Sequence, residues 1–177
     1  MKYRLTGETI LWEGHLLHRI QATKDFGNIR EGDLGGFIEN EKNLSHEGNA
    51  WVWGEARVWG NARVCDKARV CGNADVYGNA KVYENAQVWG DARVFGDANI
   101  YGNATVYNNA KICGNAKICD NAWVFGEAQV YGEAWVFGKA KVCNKARIYG
   151  NAKVYGNWVF GNAQVCDKAK ADGNVRG

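Results

Sequence analysis

Apolar and polar residues recur with a six-residue period from Gly48 to Tyr155, in eighteen consecutive units without an insertion. Numbered from its first residue, which is usually Gly, each unit has Ala at position three and Val or Ile at position five. The residue between them is mostly polar. Residues two apart on an extended chain point to the same side, so each unit predicts a short strand with an apolar inner side.

Polar residues and glycines fill positions one and two of each unit. Gly, Asn and Asp tolerate positive φ, so these pairs predict corners between strands. A single short strand cannot bury its apolar side, which favours stacked coils around one core. Three units per triangular coil give 18 residues per coil, and six coils at about 4.8 Å spacing would be about 29 Å long. The predicted fold class is therefore all-β, a single-stranded parallel β-helix.

Position six is never polar in these units, but is Trp, Tyr, Phe or Cys. Alternation places this side chain outside, beside a corner, and residues 18 apart should stack as ladders. The ladders shield the corner backbone and stabilise the stack. A part of this apolar surface is also a candidate interface, because long exposed patches mark one. The candidate interface residues are Trp53, Trp59, Trp89, Trp123, Trp135, Trp158, Val159 and Phe160.

Residues 1–35 do not follow the period and predict a small N-terminal β cap over the first coil. KYRL, TILW and HLLHRIQA are typical of short strands, with turns at Thr6–Glu8 and Glu13–Gly14 and an irregular stretch over residues 24–36.

The solenoid is assigned to residues 36–177, and its first coil to residues 36–47. In that coil Ile38 and Leu44 take position three and His46 takes the Val position. Residues 156–160 lack the Ala and shift the register once. The last coil is predicted to be open, with unpaired strand edges.

The segment LHRIQATKDFGNIREGDLGGFIENEKNLSHEGNAWV, residues 17–52, followed by the repeats, resembles the YdcK-like branch of the bacterial hexapeptide-repeat proteins, common in phage and prophage genomes. The repeat is also similar to that of the bacterial transferase hexapeptide superfamily, with a small residue four places after the aliphatic one. This resemblance implies a left-handed β-helix, a phage-encoded protein and a phage or host protein as a docking partner. One departure is that Gly lies two places after the aliphatic residue, with an aromatic residue or Cys between them.

The superfamily includes acyltransferases, which use a His beside extruded loops at a trimer interface. The repeats contain no His and no loop, and His15, His18 and His46 all precede them. Gly-Asn pairs also lack the strand–loop–helix context and the Lys of a phosphate loop. No catalytic residue and no cofactor site are assigned, and an acyltransferase-like enzyme is retained as an alternative.

Cysteine usage indicates free thiols in a reducing compartment. All six cysteines occupy position six, and those six apart lie on different corners, beyond the reach of a disulfide. Neither CxxC nor Cys/His spacing occurs, so no metal site is assigned. No signal-like segment and no run near 18 apolar residues is found, which predicts a cytoplasmic protein without a membrane partner. The cysteines are Cys65, Cys71, Cys113, Cys119, Cys143 and Cys166.

A net charge of +3 is too small to indicate a partner by itself. The outward positions nevertheless form basic rows at about 4.8 Å steps, a candidate polyanion face. Lys and Arg also keep flat strands soluble, and acidic corners offset the charge, so nucleic acid is the less favoured partner. The two rows are Arg57, Arg93, Lys111 and Arg147, and Arg63, Lys81, Lys117 and Lys153.

The favoured function is a non-enzymatic structural or interaction solenoid. An open terminal coil or an exposed aromatic ladder can pair with its own copy, so we expect a homo-oligomer. The alternatives are the acyltransferase-like enzyme and the polyanion binder.

Overall fold

The computed structural model describes residues 1–171 and 173–177 and shows an all-β parallel solenoid of about eight coils. The predicted fold class is confirmed: strands 18 residues apart pair in parallel, as Arg93 pairs with Lys111 and Asn99 with Lys117. Three sheets form the three sides of the stack, and each coil contributes one short strand to each sheet.

The chain begins with three longer strands and one turn of 3-10 helix. These are β1 (Tyr3–Trp12), β2 (His15–Ala22), β3 (Leu34–Ile38) and the helix Glu41–Asn43. The short strands of the described residues are numbered β4 to β25 in chain order: Trp51–Val52, Arg57–Val58, Arg63–Val64, Arg69–Val70, Asp75–Val76, Lys81–Val82, Gln87–Val88, Arg93–Val94, Asn99–Ile100, Thr105–Val106, Lys111–Ile112, Lys117–Ile118, Trp123–Val124, Gln129–Val130, Trp135–Phe137, Lys141–Val142, Arg147–Ile148, Lys153–Tyr155, Trp158–Phe160, Gln164–Val165, Lys170–Ala171 and Val175–Arg176.

We name the three sides by their sheets. Face A has the order β1-β2-β3-β5-β8-β11-β14-β17-β20-β23. Face B has the order β4-β7-β10-β13-β16-β19-β22-β25, and face C has the order β6-β9-β12-β15-β18-β21-β24. Within the described residues, β23, β24 and β25 are the last strands of their sheets.

The interior is filled by the two small apolar positions of each unit, as the sequence predicts. Every Ala at position three from Ala50 to Ala152 is fully buried, and every Val or Ile at position five from Val52 to Val154 is at most 1% exposed. Coils are joined by backbone hydrogen bonds, such as Lys117 N–H to the Ala134 carbonyl at 2.9 Å. A narrow triangular core suits this pairing of small and medium side chains.

The corners need positive φ at position one, and six of these residues are not Gly, with φ between 56° and 59°. Three of the six are acids whose carboxylates accept backbone N–H groups of the next coil, namely Asp66, Glu84 and Asp120. Asp66 Oδ2 accepts from Glu84 N–H at 2.9 Å, and Glu84 Oε2 accepts from Gly102 N–H at 2.7 Å. The six residues are Asp66, Glu84, Asn108, Asp120, Asn144 and Asp167.

The N-terminal hairpin differs from the prediction. The expected turn at Thr6–Glu8 is wrong, because β1 continues through it and the pairing with β2 only shifts register between Leu5 and Thr9. The turn at Glu13–Gly14 is confirmed, and both residues have positive φ. The stretch predicted to be irregular ends early, because β3 begins at Leu34.

The predicted register of the first coil is also wrong. Ile38 pairs with Val58 and Leu44 with Val64, so both occupy position five rather than position three. His46 is not at a Val position but is one of two extra residues before Gly48. Its ring stacks on Tyr3 with centroids 4.3 Å apart, and burial lowers its pKa. The six-residue period could not show this insertion because it lies where the repeat begins.

Residues 156–160 form a five-residue unit, as the sequence indicates, and the register recovers within it. The Asn157 carbonyl accepts from Lys141 N–H at 2.8 Å, the bond that an Ala carbonyl accepts in regular units. Trp158 then pairs with Lys141 and Val159 with Val142. The missing residue is therefore absorbed at the corner and the following strand keeps its inner and outer sides.

Lys2 generates a prediction about pH and stability. Its side chain is 1% exposed, its Nζ donates to the Ala50 carbonyl at 2.8 Å, and burial lowers its pKa to about 8. Between about pH 8 and 10 Lys2 is therefore more protonated in the unfolded chain than in the native state, so its own contribution to stability rises with pH. We expect this contribution to raise the free energy of unfolding of the wild type, relative to that of Lys2→Met, by about 1.5 kcal/mol from pH 8 to 9.5 in urea unfolding.

Lys24→Met, which changes an exposed lysine, should show the same pH dependence as the wild type. Equal pH slopes in the wild type and the Lys2→Met variant would contradict the assignment.

Candidate interaction surfaces

The side chains at position six form stacked ladders along the corners, which confirms the predicted stacking. Ring centroids in the flat stacks are 4.5 to 5.1 Å apart and ring planes differ by no more than 7°. This separation is close to the strand spacing, because the backbone fixes both. The stacked pairs are Trp59–Tyr77, Tyr77–Phe95, Tyr83–Tyr101, Trp89–Tyr107, Tyr107–Phe125 and Tyr131–Tyr149.

Four of the predicted interface residues come together on one side of the solenoid. Trp89, Trp123 and Trp158 are 38%, 42% and 43% exposed, respectively, on face B and its adjoining corner. Phe160 lies half-buried on the same corner. We call this side the aromatic surface, and define it as Trp89, Tyr107, Trp123, Phe125, Trp158 and Phe160.

Contacts inside the aromatic surface hold its rings in place. Tyr107 meets Trp123 edge to face, with centroids 6.3 Å apart, and stacks on Phe125 at 4.8 Å. Lys141 lies between Trp123 and Trp158, with its Nζ 5.0 Å and 4.6 Å from their ring centroids. Aromatic rings fixed in this way lose little side-chain entropy when a partner covers them.

Tyr107, Phe125 and Lys141 were not among the predicted interface residues. The 18-residue spacing in the sequence could have identified all three residues. It places Tyr107 and Phe125 on the ladder of Trp89, and Lys141 one coil after Trp123.

The other four predicted interface residues do not join this surface. The predictions for Trp59 and Val159 are wrong, because Trp59 is 3% exposed and Val159 is fully buried. Trp59 packs under the hairpin with Leu17 and Phe37, and Val159 lies in the core at position five.

Trp53 and Trp135 remain partly exposed, but away from the aromatic surface. Trp53 lies two coils before Trp89 on the same corner and packs against the core. Trp135 lies on face C, a different side of the solenoid.

The basic row on face A is broken by an acid and by the hairpin. Arg57 lies 3.6 Å from the ring centroid of Trp12, and its Nε donates to Asp75 Oδ1 at 2.6 Å. The Asp75 side chain is 3% exposed, and Arg93 lies 3.8 Å from its second oxygen. Burial raises the pKa of Asp75, and Arg57 opposes this shift. Arg57 therefore cannot serve as a free polyanion contact.

Lys111 and Arg147, the remaining members of that row, are exposed but share a groove with acids. Asp91 and Glu127 line the same groove, and Lys145 lies 3.9 Å from Glu127. Four cations and two acids line this groove, so the acids offset about half of its positive charge.

The basic row on face C is uninterrupted by acids. Arg63, Lys81, Lys117 and Lys153 are exposed and lie in one register along the face. Within the described part of the chain, none of the four lies at ion-pairing distance from a carboxylate.

The histidines precede the repeats and lie outside the aromatic surface and the basic rows. The cysteines lie within the ladders. His15 Nδ1 is 2.9 Å from Glu39, whose pKa this bond lowers, and the second Glu39 oxygen accepts from Gly60 N–H at 2.7 Å. All six cysteines are free thiols at position six. Burial raises the pKa of Cys65, Cys71, Cys113 and Cys143, which favours the unreactive thiol form.

The exposure of these rings can be measured by acrylamide quenching of tryptophan fluorescence. At submicromolar concentration we expect the Trp123→Phe/Trp158→Phe variant to lose a red-shifted, readily quenched component. Trp59→Phe should lose a protected component instead, because Trp59 is buried. Loss of a quenchable component on changing Trp59 would mean that the hairpin does not cover it.

The described residues contain no helix of sufficient length and apolarity to cross a bilayer. In comparisons with known proteins, two segments match the family model "YdcK Beta solenoid repeat", residues 98–114 and 146–162. Each segment is about one coil long, and both lie within the stacked repeats. No curated protein matches the chain. The chain is thus similar to the YdcK β-solenoid repeat over these two segments.

Proposed function

We propose that this protein is a non-enzymatic structural and interaction solenoid that forms a homo-oligomer through its aromatic surface. The observation that carries the proposal is the exposure of Trp89, Trp123 and Trp158 together on one rigid side. Monomeric proteins rarely expose large contiguous apolar patches, and Trp is the residue most enriched among strong interface contacts.

A second copy of the chain fits this surface because its margin carries charges of both signs. Arg69 and Lys141 lie on face B, while Asp91 and Glu127 lie on the adjoining corner. A two-fold contact brings the same patch of two copies together, so each cation can meet an anion of the other copy. Among the residues that the structure describes, the face has no long loop to order on binding, which lowers the entropic cost.

We place the contact on the face rather than on the terminal coil. The exposure of the aromatic surface is set by residues 89–160 and does not depend on the chain ends. Pairing of the edge strands β23, β24 and β25 with the same edge of a second copy would also give a dimer, and head-to-tail pairing would give an open polymer. Mass measurements on a variant of the aromatic surface separate the routes, because a contact at the chain ends leaves the mass of that variant unchanged.

A phage or host protein is the other occupant that the sequence resemblance suggests for this surface. The acyltransferase-like alternative has less support, since His15 is held by Glu39 and His46 by Tyr3 near the first coil. Catalysis by a general base needs a group positioned beside a bound substrate.

Self-association can be tested with Trp123→Glu/Trp158→Glu, which places charges in the middle of the aromatic surface. Light scattering after size exclusion should give twice the 19.6 kDa chain mass for the wild type. The double variant should give the monomer mass, because buried unpaired carboxylates oppose the contact. The matched control is Tyr155→Glu, which changes an exposed aromatic residue, 59% exposed, on the corner beside face C.

A wild type that stays monomeric at high concentration would refute self-association. A dimer or a growing polymer whose mass is unchanged in the double variant would place the contact at the chain ends.

The enzyme alternative has its own measurement. Calorimetric titration with acetyl-CoA should show no binding at millimolar concentration. Saturable binding of acetyl-CoA, lost on changing His15 to Ala, would contradict a purely structural role.

A further inference from the structure

We propose that face C binds a linear acidic polysaccharide, which lies along the solenoid axis on the row Arg63, Lys81, Lys117 and Lys153. This site goes beyond self-association and lies on a different side from the aromatic surface.

The charge of face C is the first argument. Its four cations are all exposed, and within the described residues none pairs with a carboxylate. The equivalent row on face A contains Asp75, which binds Arg57 and lies near Arg93. A row of unpaired cations with no acid between them attracts a polymer of negative charges.

Three acids at the margin of face C are directed to backbone groups. Asp66, Glu84 and Asp120 each accept a backbone N–H of the next coil, at 2.9, 2.7 and 2.9 Å. Their charge is partly satisfied by these donors, so it weakens the field of the basic row less than free carboxylates would. Asp97 and Glu133, at the opposite margin, are exposed, and Asp97 accepts from Asn79 Nδ2 at 2.9 Å.

The spacing of the cations favours a sparsely charged, extended polymer. Arg63 and Lys81 lie on successive coils, and Lys117 and Lys153 follow at intervals of two coils, about 9.6 Å each. Duplex DNA carries one charge per about 1.7 Å of its axis, far more than this flat row can match. A polysaccharide with one acidic group on every second sugar has charges on alternate units.

The aromatic residue of face C does not offer a stacking platform for bases. The Trp135 ring lies between two ammonium groups, with Lys117 Nζ 5.7 Å and Lys153 Nζ 5.4 Å from its centroid. Its indole N–H donates to Cys119 Sγ at 3.2 Å. Binding of single-stranded nucleic acid relies on free aromatic faces, and here ammonium groups from both neighbouring coils lie near the ring. Trp135 instead holds the two lysines at a fixed separation.

Asparagine side chains border the basic row on both sides and suit a ligand rich in hydroxyl groups. On one margin Asn61 Nδ2 donates to Asn79 Oδ1 at 3.1 Å, and on the other Asn103 Nδ2 donates to Asn121 Oδ1 at 3.2 Å. An amide has two donors and two acceptor sites, so each ladder bond leaves others free. These groups can bind sugar hydroxyls beside the row of charges.

The test measures binding of fluorescently labelled hyaluronan oligosaccharides to the full chain at low salt. Lys117→Gln/Lys153→Gln should weaken binding about tenfold and make its salt dependence less steep. The control Lys111→Gln/Arg147→Gln removes the same charge at the same two-coil interval on face A, and should leave affinity within about twofold. Glu133→Gln should tighten binding, because it removes a negative charge from the margin of face C.

Heparin oligosaccharides carry sulfate as well as carboxylate groups and are more densely charged, so binding of hyaluronan supports the site and binding of heparin alone does not. The proposal is overturned if hyaluronan does not bind at low salt, or if the face C and face A variants lose affinity equally. Tighter binding of a single-stranded or duplex DNA oligonucleotide than of both sugars would also overturn it. Oligomeric mass measured in the same samples separates this result from the self-association test.

Discussion

The backbone hydrogen bonds between successive coils determine where every side chain of the solenoid lies. Within one strand and its corner, Arg93, Phe95 and Asp97 donate to carbonyls of the next coil at 2.9, 3.0 and 2.9 Å. A shift of one residue would reverse the inner and outer sides of a strand, so the apolar core fixes this pairing. Equivalent positions then superpose 18 residues apart, and the ladders and charged rows follow from that repetition.

This constraint explains how much of the structure the sequence could predict. The period alone states which residues are inside, so the burial of Ala104 and Val106 and the stacking of Trp89 on Tyr107 were predictable. The register of the first coil was not. It depends on an insertion before Gly48 and on Tyr3 and Lys2, which reach it from the start of the chain. A local six-residue period cannot predict contacts between segments that are far apart in the sequence.

For the candidate surfaces, too, the repeat predicted the positions of side chains but not the contacts made by the N-terminal hairpin. Register sorted the basic residues into their two rows correctly, since the rows are a property of the repeat. The hairpin of β1 and β2 then removed Trp59 and Arg57 from the exposed surface, because Leu17 and Trp12 cover them. Nothing in the hairpin's own alternation indicates that it packs on the outside of face A. One backbone geometry thus presents three sides of different chemistry.

The five-residue unit at 156–160 shows how strongly the core holds the register. This unit is one corner residue shorter than the others, and the Asn157 carbonyl accepts the hydrogen bond from Lys141 N–H. Its Nδ2 also donates to the Tyr155 carbonyl at 2.7 Å. A deletion within the strand itself would have turned Val159 outward and Trp158 into a core too narrow for an indole. The last ring of the aromatic surface therefore remains on face B because the shortening falls at a corner, where backbone can be removed without inverting a strand.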